Sequence, residues 1–223
     1  MVPLGVSSPA PADGAIEGSP ANHLSRQMRE TMADIPDIST RRLILRAWRD
    51  SDLSEFAAMN ADPEVMAYFP RNYSRTESDA LVARIRDHFA AHGFGFWAVE
   101  APGAAPFIGF TGLGTADFEA PFTPCVEIGW RLARRFWGCG YATEAARASL
   151  GFGFGTLGLD EIVSFAVTAN GRSRRVMERI GMTRDPAGDF DHPVLPVGDP
   201  LRRHVLYRLA RTDWIRAAGT GGL

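Results

Sequence analysis

The sequence is poor in cysteine. It has two, Cys125 and Cys139, among 223 residues. Two thiols build no disulfide framework, and their separation is not that of a metal-ligand pair, so a stapled secreted domain and a zinc module are both excluded. A reducing cytoplasm is the expected compartment. No apolar run approaches the roughly 18 residues of a membrane helix, and the first residues lack the basic start and apolar block of a signal peptide. Neither sign of charge dominates, with 24 basic against 26 acidic residues. That balance argues against a general role on nucleic acid or on a membrane surface. No internal repeat is visible. Asp191-His192 has no further His or carboxylate at ligand spacing, so a structured loop and no metal are expected there.

What is present suffices for one globular core: 45% of the residues are hydrophobic. The opening "VPLGVSSPAPADGAIEGSPA" is rich in Pro, Gly, Ser and Ala and reads as a disordered tail. Residues 22–33 can form one short helix, and residues 1–38 together are expected to lie outside the domain. The domain itself is expected over 39–212, with a second tail over 213–223. In "RRLILRAW", Leu43, Leu45 and Ala47 alternate with Arg42, Ile44 and Arg46, which predicts a first strand. Asp50 or Ser51 can cap a helix through "LSEFAAMN". Leu81, Ile85 and Phe89 recur at helical spacing, with Gly93 where a C-cap belongs. Two strands, "FGFWAVE" and "PFIGFTGLG", and a third, "PCVEIGWRLA", follow. Helix "YATEAARASL", strand "EIVSFAVTA", helix "RSRRVMERIG" and strand "HVLYRLA" complete a mixed α and β order, antiparallel early and βαβα late.

Two glycine clusters compete for a functional role. Gly153 to Gly158 spells GxGxxG, but a helical segment precedes it and a β-branched strand follows. A dinucleotide fingerprint needs the reverse order, and a carboxylate about 20 residues on that is missing here. Close packing of a helix on a sheet explains those glycines better. Gly138-Cys139-Gly140 passes the test that the second cluster fails. A strand runs into it, a helix leaves it, and Arg134 and Arg135 adjoin it. Such a loop can wrap an anion with backbone N–H groups at a helix N-terminus. A plain strand-to-helix turn fits the spacing equally well.

The segment "EIGWRLARRFWGCGYATEA" resembles motif A of the GNAT superfamily of acyl-CoA N-acyltransferases, and most of all its ribosomal-protein N-terminal acetyltransferase-like branch. The family's [Q/R]xxGx[G/A] stands here as Arg135-Phe136-Trp137-Gly138-Cys139-Gly140. A second segment, "TANGRSRRVMERIGMTR", is similar to the family's Asn-x-x-Ser helix and the turn after it. The resemblance covers residues 40–211. It implies an α/β (α+β) GNAT fold, a strongly twisted mixed sheet of six to seven strands whose fourth and fifth strands splay apart to hold acetyl-CoA. It further implies that the pyrophosphate meets Arg135 and the N–H groups of Trp137, Gly138, Cys139, Gly140, Tyr141 and Ala142. The pantetheine arm would run beside Trp130 and Leu132 and bond Asn170. Glu127 is the implied base for the attacking amine, against a structural carboxylate bonded to nearby backbone. Ser173 is the implied donor to the leaving thiolate, against a place in the first helical turn. The resulting expectation is an N-acetyltransferase acting on a primary amine, monomer or homodimer, with a non-catalytic acyl-CoA sensor as the alternative.

Some features depart from the family or stay open. Cys139 stands where a basic or polar residue is common and reads as a small buried filler or an oxidisable thiol. No tyrosine occupies the place of the family's usual general acid; Val176 and Met177 are there. Arg202, Arg203 and His204 suit a carboxylate or a nucleotide 3′-phosphate, or a solvated face. Trp48, Phe94, Phe96 and Trp97 read as core and cleft wall.

Overall fold

The structure, a computed structural model, describes residues 35–219. The tail and short helix expected over residues 1–34, and the last four residues, lie outside the described residues. The alternating stretch forms β2 (Ile44–Arg46), flanked by β1 (Ile38–Ser39) and β3 (Phe96–Ala101). Leu43 and Leu45 face the core as the pattern predicts. The other side is not all solvent, because Arg46 is only 2% exposed. Its Nε donates to Glu100 and its Nη1 and Nη2 to the two oxygens of Asp52, at 2.8, 2.8 and 2.9 Å. A buried guanidinium is tolerated when carboxylates fill its donors in this way. It is one of 24 arginines, which make up every basic residue of the chain.

Asp52, not Asp50 or Ser51, shapes the turn into α1 (Leu53–Ala61). Its carboxylate also accepts the Arg49 N–H at 2.8 Å. The helix α2 (Arg75–His92) follows the sequence signals closely. Ser74 and Glu77 exchange cap bonds, Leu81, Ile85 and Phe89 are buried, and Gly93 ends the helix at φ 74°. The strands β4 (Ala105–Ala116) and β5 (Cys125–Leu132) then pair antiparallel, all of β5 against Gly109–Ala116 of β4.

After β5 come α3 (Tyr141–Gly155), β6 (Glu161–Val167), α4 (Gly171–Arg179), β7 (Thr183–Asp191), β8 (Arg203–Ala210) and α5 (Arg211–Gly219). The sheet has eight strands in the order β1-β2-β3-β4-β5-β6-β8-β7. Expected strands are thus joined by the two-residue β1 and by β7. Pro186 and Gly188 disguise β7 as a loop; they sit where its pairing with β8 shifts between Asp185 and Phe190. Three sequence boundaries move. Ile35 and Ile38 pack on the core and Pro36 accepts from the Trp97 indole at 3.1 Å, so the domain begins before residue 39. At the other end, residues 213–219 belong to α5, whose Trp214 lies against Phe154 with ring centroids 5.8 Å apart. Gly151, Gly153 and Gly155 are helical, so α3 runs five residues past the segment read as its end.

The second glycine cluster is a packing device. A Cβ on Gly153 would stand 2.7 Å from Ile162 Cδ1 and 2.9 Å from Leu113 Cδ1, so any side chain there must displace both tips for α3 to lie this close to the sheet. A Cβ on Gly151 would meet nothing nearer than Trp214 at 4.0 Å. Gly151→Ala is therefore expected to stabilise by about 1 kcal/mol, raising Tm by roughly 2–4 °C. Gly153→Leu is expected to overpack and lose about 1–3 kcal/mol. Scanning calorimetry on the two variants checks this; shifts of the same sign would mean that Gly153 does not seat the helix.

Candidate active site

The site begins with a defect in the sheet. β5 and β6 are neighbours and parallel, yet they share a single residue pair, Glu127 with Val163. One more tie, Ser164 Oγ to the Ile128 carbonyl at 3.0 Å, closes the join. Beyond it the strands part. Main-chain direction alternates along β5, and two bonds fix its phase: Ala133 N–H to Ile108 O at 2.9 Å, and Thr111 Oγ1 to Gly129 O at 3.1 Å. Residues 129, 131 and 133 turn their main chain toward β4. Trp130 and Leu132 therefore turn theirs into the gap. The Leu132 carbonyl is taken by the Trp137 indole at 2.8 Å. The gap opens into a cleft of about 400 Å³.

The first glycine cluster borders that cleft. Gly138 and Gly140 have φ 77° and 80°, a left-handed conformation that favours glycine. Gly140 is the N-cap of α3 and offers no side chain to the free N–H groups of the first turn. Those groups and the helix dipole make the loop an anion site in outline. Arg42 holds it from behind. Its Nη1 donates to Cys139 O at 3.0 Å and its Nε to Glu144 at 2.7 Å. Thr40 Oγ1 and the Arg42 N–H bond the same carboxylate at 2.7 and 2.9 Å.

Trp130, Leu132, Trp137, Gly138, Gly140, Tyr141, Ala142, Asn170 and Ser173 line the cleft together, as a group predicted from sequence. Arg135 and Cys139 do not. Arg135 reaches Glu55 at 2.7 Å and Arg134 reaches Glu64 at 2.7 Å. Cys139 is exposed, not a buried filler, and its thiol contacts Trp137 O. Positive charge at the cleft comes instead from α4, where Arg172, Arg175 and Arg179 line it and pair with no carboxylate among the described residues. Arg172 lies over the Trp137 ring at 4.4 Å. Their i, i+3, i+7 spacing is the sequence signal that could have found them.

Asn170 caps α4, its Oδ1 accepting the Ser173 N–H at 3.1 Å, which leaves the Asn170 amide nitrogen free. The Ser173 hydroxyl has no partner among the described residues. Glu127 does not line the cleft. It sits at the closed end, 4% exposed, and its carboxylate bonds no described residue, so a hydrogen-bonded structural carboxylate is not what the structure holds. Burial pushes its pKa up to about 8.

The other end of the cleft was not foreseen. The segment between α1 and α2 brings Glu64, Val65, Tyr68 and Phe69 to it, and Tyr68 donates its hydroxyl to Ala169 O at 3.1 Å across to the turn after β6. Arg131 of β5 lies beneath Phe69, its Cζ 4.0 Å from the ring centroid. By contrast Trp48, Phe94, Phe96 and Trp97 belong to the packed core and form no cleft wall. Arg202 and Arg203 are turned to Asp191, at 3.5 and 3.4 Å. His192 and His204 are buried among Phe118, Phe165 and Phe190. That group is removed from the cleft and offers it neither a phosphate ligand nor a metal ligand.

Comparison with known proteins places this geometry. Residues 42–183 match the acetyltransferase (GNAT) domain. The chain is 30% identical over 188 residues to the FsC-acetyl coenzyme A-N(2)-transacetylase of Aspergillus fumigatus, covering 81% of this chain and 79% of that one. It is 33% identical over 144 residues to Bacillus subtilis YkkB, covering 64% and 83%. A crystal structure of a GNAT-family acetyltransferase from Bacillus anthracis superposes with a TM-score of 0.66 at 26% identity, covering 79% of this chain and 99% of that one. With residues 42–183 matched to this domain and a relative 30% identical over 81% of this chain, the chain belongs to the GNAT acetyltransferase family and is an acyl-CoA-dependent N-acyltransferase.

Proposed function

We propose that the parted edge of β5 holds acetyl-CoA and that Ser173 and Glu127 serve transfer of its acetyl group to a primary amine. The observation that carries this reading is the orientation of Trp130 and Leu132. Their main-chain groups face a cleft whose far end is a glycine loop at a helix N-terminus. A pantetheine arm has two amides and can bond such an edge as a strand would. The pyrophosphate then falls to the N–H groups from Trp137 to Ala142, with counter-charge from Arg172, Arg175 and Arg179 in place of Arg135. Asn170 has a free amide nitrogen for a pantetheine carbonyl. Two free thiols, Cys125 and Cys139, suit a reducing cytoplasm.

In the chemical step the amine nitrogen forms a bond to the thioester carbon while the carbon–sulfur bond breaks. The Trp130 N–H donates to the carbonyl oxygen as charge gathers there. Glu127, ionised, takes the proton that the nitrogen sheds, through water because it lies behind the cleft wall. The Ser173 hydroxyl donates to the sulfur that leaves.

The loop is expected to bind CoA and not NAD. Gly138→Asp brings a negative charge to the anion site at a left-handed position that aspartate tolerates. It should keep the fold and abolish the rise in melting temperature on adding CoA. Equal stabilisation of the wild type by NAD and CoA would sink the reading.

Ser173→Ala should lower kcat by about 10- to 100-fold, roughly 1.4–2.7 kcal/mol, and leave KM nearly unchanged. Its cost in stability should be small, because Asn170 and not Ser173 makes the cap bond. Steady-state kinetics with a good amine acceptor decide this; an unchanged kcat removes Ser173 from the mechanism.

The third test is pH. Glu127 must be ionised to act, so kcat/KM should rise with pH toward a plateau past its pKa of about 8. Glu127→Gln should remove that limb along with most of the rate. The linked stability runs the other way. The folded chain holds this proton more tightly than the unfolded one, whose ordinary value is 4.5, so the contribution of Glu127 to stability falls as pH rises between 4.5 and about 8, while buried His192 and His204, lowered from 6.5 to about 4, contribute the opposite slope below 6.5. The stability difference between wild type and Glu127→Gln, from denaturation curves taken across the same range, should carry the Glu127 slope alone.

A further inference from the structure

Arg131 is a buried cation without a counter-ion. It is 6% exposed, and no carboxylate of the described residues lies within ion-pair distance. The other buried guanidinium among the described residues, Arg46, is answered by Asp52 and Glu100. At Arg131 only Nη1 is satisfied, by Asn60 Oδ1 at 2.6 Å, while the buried Nε has no partner. Aromatic rings of Phe69, Phe110 and Tyr73 stand 4.0, 5.3 and 5.9 Å from its Cζ. Rings offer such a cation some attraction but no acceptor oxygen. An ion taken out of water this fully is normally matched by an opposite charge.

Arg131 also stands where an acceptor amine would carry that charge. It lines the cleft with Val65, Tyr68 and Phe69. Side chains two apart on a strand share a face, so Glu127, Gly129 and Arg131 form one row on β5. The middle member has no side chain. The outer two are separated by roughly 13 Å of strand rise, which an amino acid can span between two extended side chains. Glu64, the acid nearest this end, is neutralised by Arg134 at 2.7 Å. Burial draws the Arg131 pKa down to about 10, which still leaves it charged at neutral pH.

We propose that Arg131 selects the acceptor, and that the acceptor is an amine bearing a carboxylate, an α-amino acid or a molecule built like one, which bonds the free guanidinium edge while its nitrogen reaches Glu127 through water. The apolar wall of Val65 and Phe69 then holds the rest of the acceptor. Polyamines would set a second cation beside Arg131 and are rejected. The proposal rests on the acyl-CoA reading above and adds the acceptor class to it.

The test offers matched amines: leucine, phenylalanine, methionine and glutamate, each as free acid, as amide and as decarboxylated amine, with spermidine alongside. Thiol release from acetyl-CoA is followed. The wild type should favour the free acid over its amide by roughly 10- to 100-fold in kcat/KM, the worth of one charge-assisted pair. In Arg131→Gln that ratio should fall to near one, and Arg131→Lys should recover part of it. Melting temperatures with CoA present, taken with N-acetyl-leucine and with its amide, give a second readout that needs neither turnover nor the variants. The acid alone should stabilise the wild type. A ratio near one in the wild type, a preference for spermidine, or a ratio untouched by Arg131→Gln would overturn the proposal and leave Arg131 as a tether of Asn60 and Phe69 to β5. Stabilisation by CoA without any carboxylate preference defeats this proposal only. Failure of CoA itself to stabilise defeats the acyl-CoA reading beneath it.

Discussion

A strand edge left open in the middle of a sheet governs this molecule. Hydrogen-bonding groups of the main chain must find partners in protein, water or ligand. β5 is paired fully on one side and at one residue pair on the other. From Trp130 onward its second side is spent on a cleft. Everything that bounds the cleft is arranged about that edge. The glycine loop continues β5 directly, α4 follows the strand that diverges from it, and the segment between α1 and α2 closes over its far face. The join itself is secured by the Ser164 hydroxyl, a side-chain bond standing in for a second ladder rung.

Charge is distributed about the cleft by a consistent logic. Two arginines at structural joints are paired, Arg46 with Asp52 and Glu100, and Arg42 with Glu144. Arg172, Arg175, Arg179 and Arg131, which line the cleft, pair with no carboxylate among the described residues. Arg42 shows how the two sets connect. It ties the beginning of the domain to the glycine loop and to the first turn of α3. A loop held in that way is already ordered, so an anion that binds there does not bear the entropy of ordering it.

Sequence pattern revealed the frame and one half of the site. Helix α2 was legible because Ser74, Glu77, Leu81, Ile85, Phe89 and Gly93 all point the same way. The glycine loop was legible because its motif is local, with strand, glycines and helix in one short run. β7 was not, since Pro186 and Gly188 imitate a turn and only pairing with β8 overrides them. Arg135 misled for a related reason. The motif gives its position in the chain, but its direction is set by Glu55, which lies far away in sequence. The same holds for Arg131, whose isolation follows from folding Asn60, Phe69 and Phe110 around it. Local grammar reports the turns between elements; long-range contacts decide which side chains remain unsatisfied.

The guanidinium networks have one more consequence. Every basic residue of this chain is arginine, 24 of them, and lysine is absent. A guanidinium stays protonated at any physiological pH and is a poor nucleophile toward thioesters, whereas a lysine amine is the type of group that acyl donors modify. An acyl-CoA-dependent N-acyltransferase of this composition thus presents no side-chain amine of its own for its donor to label. The cations that hold the fold and those that face the cleft are equally poor targets for an acyl donor.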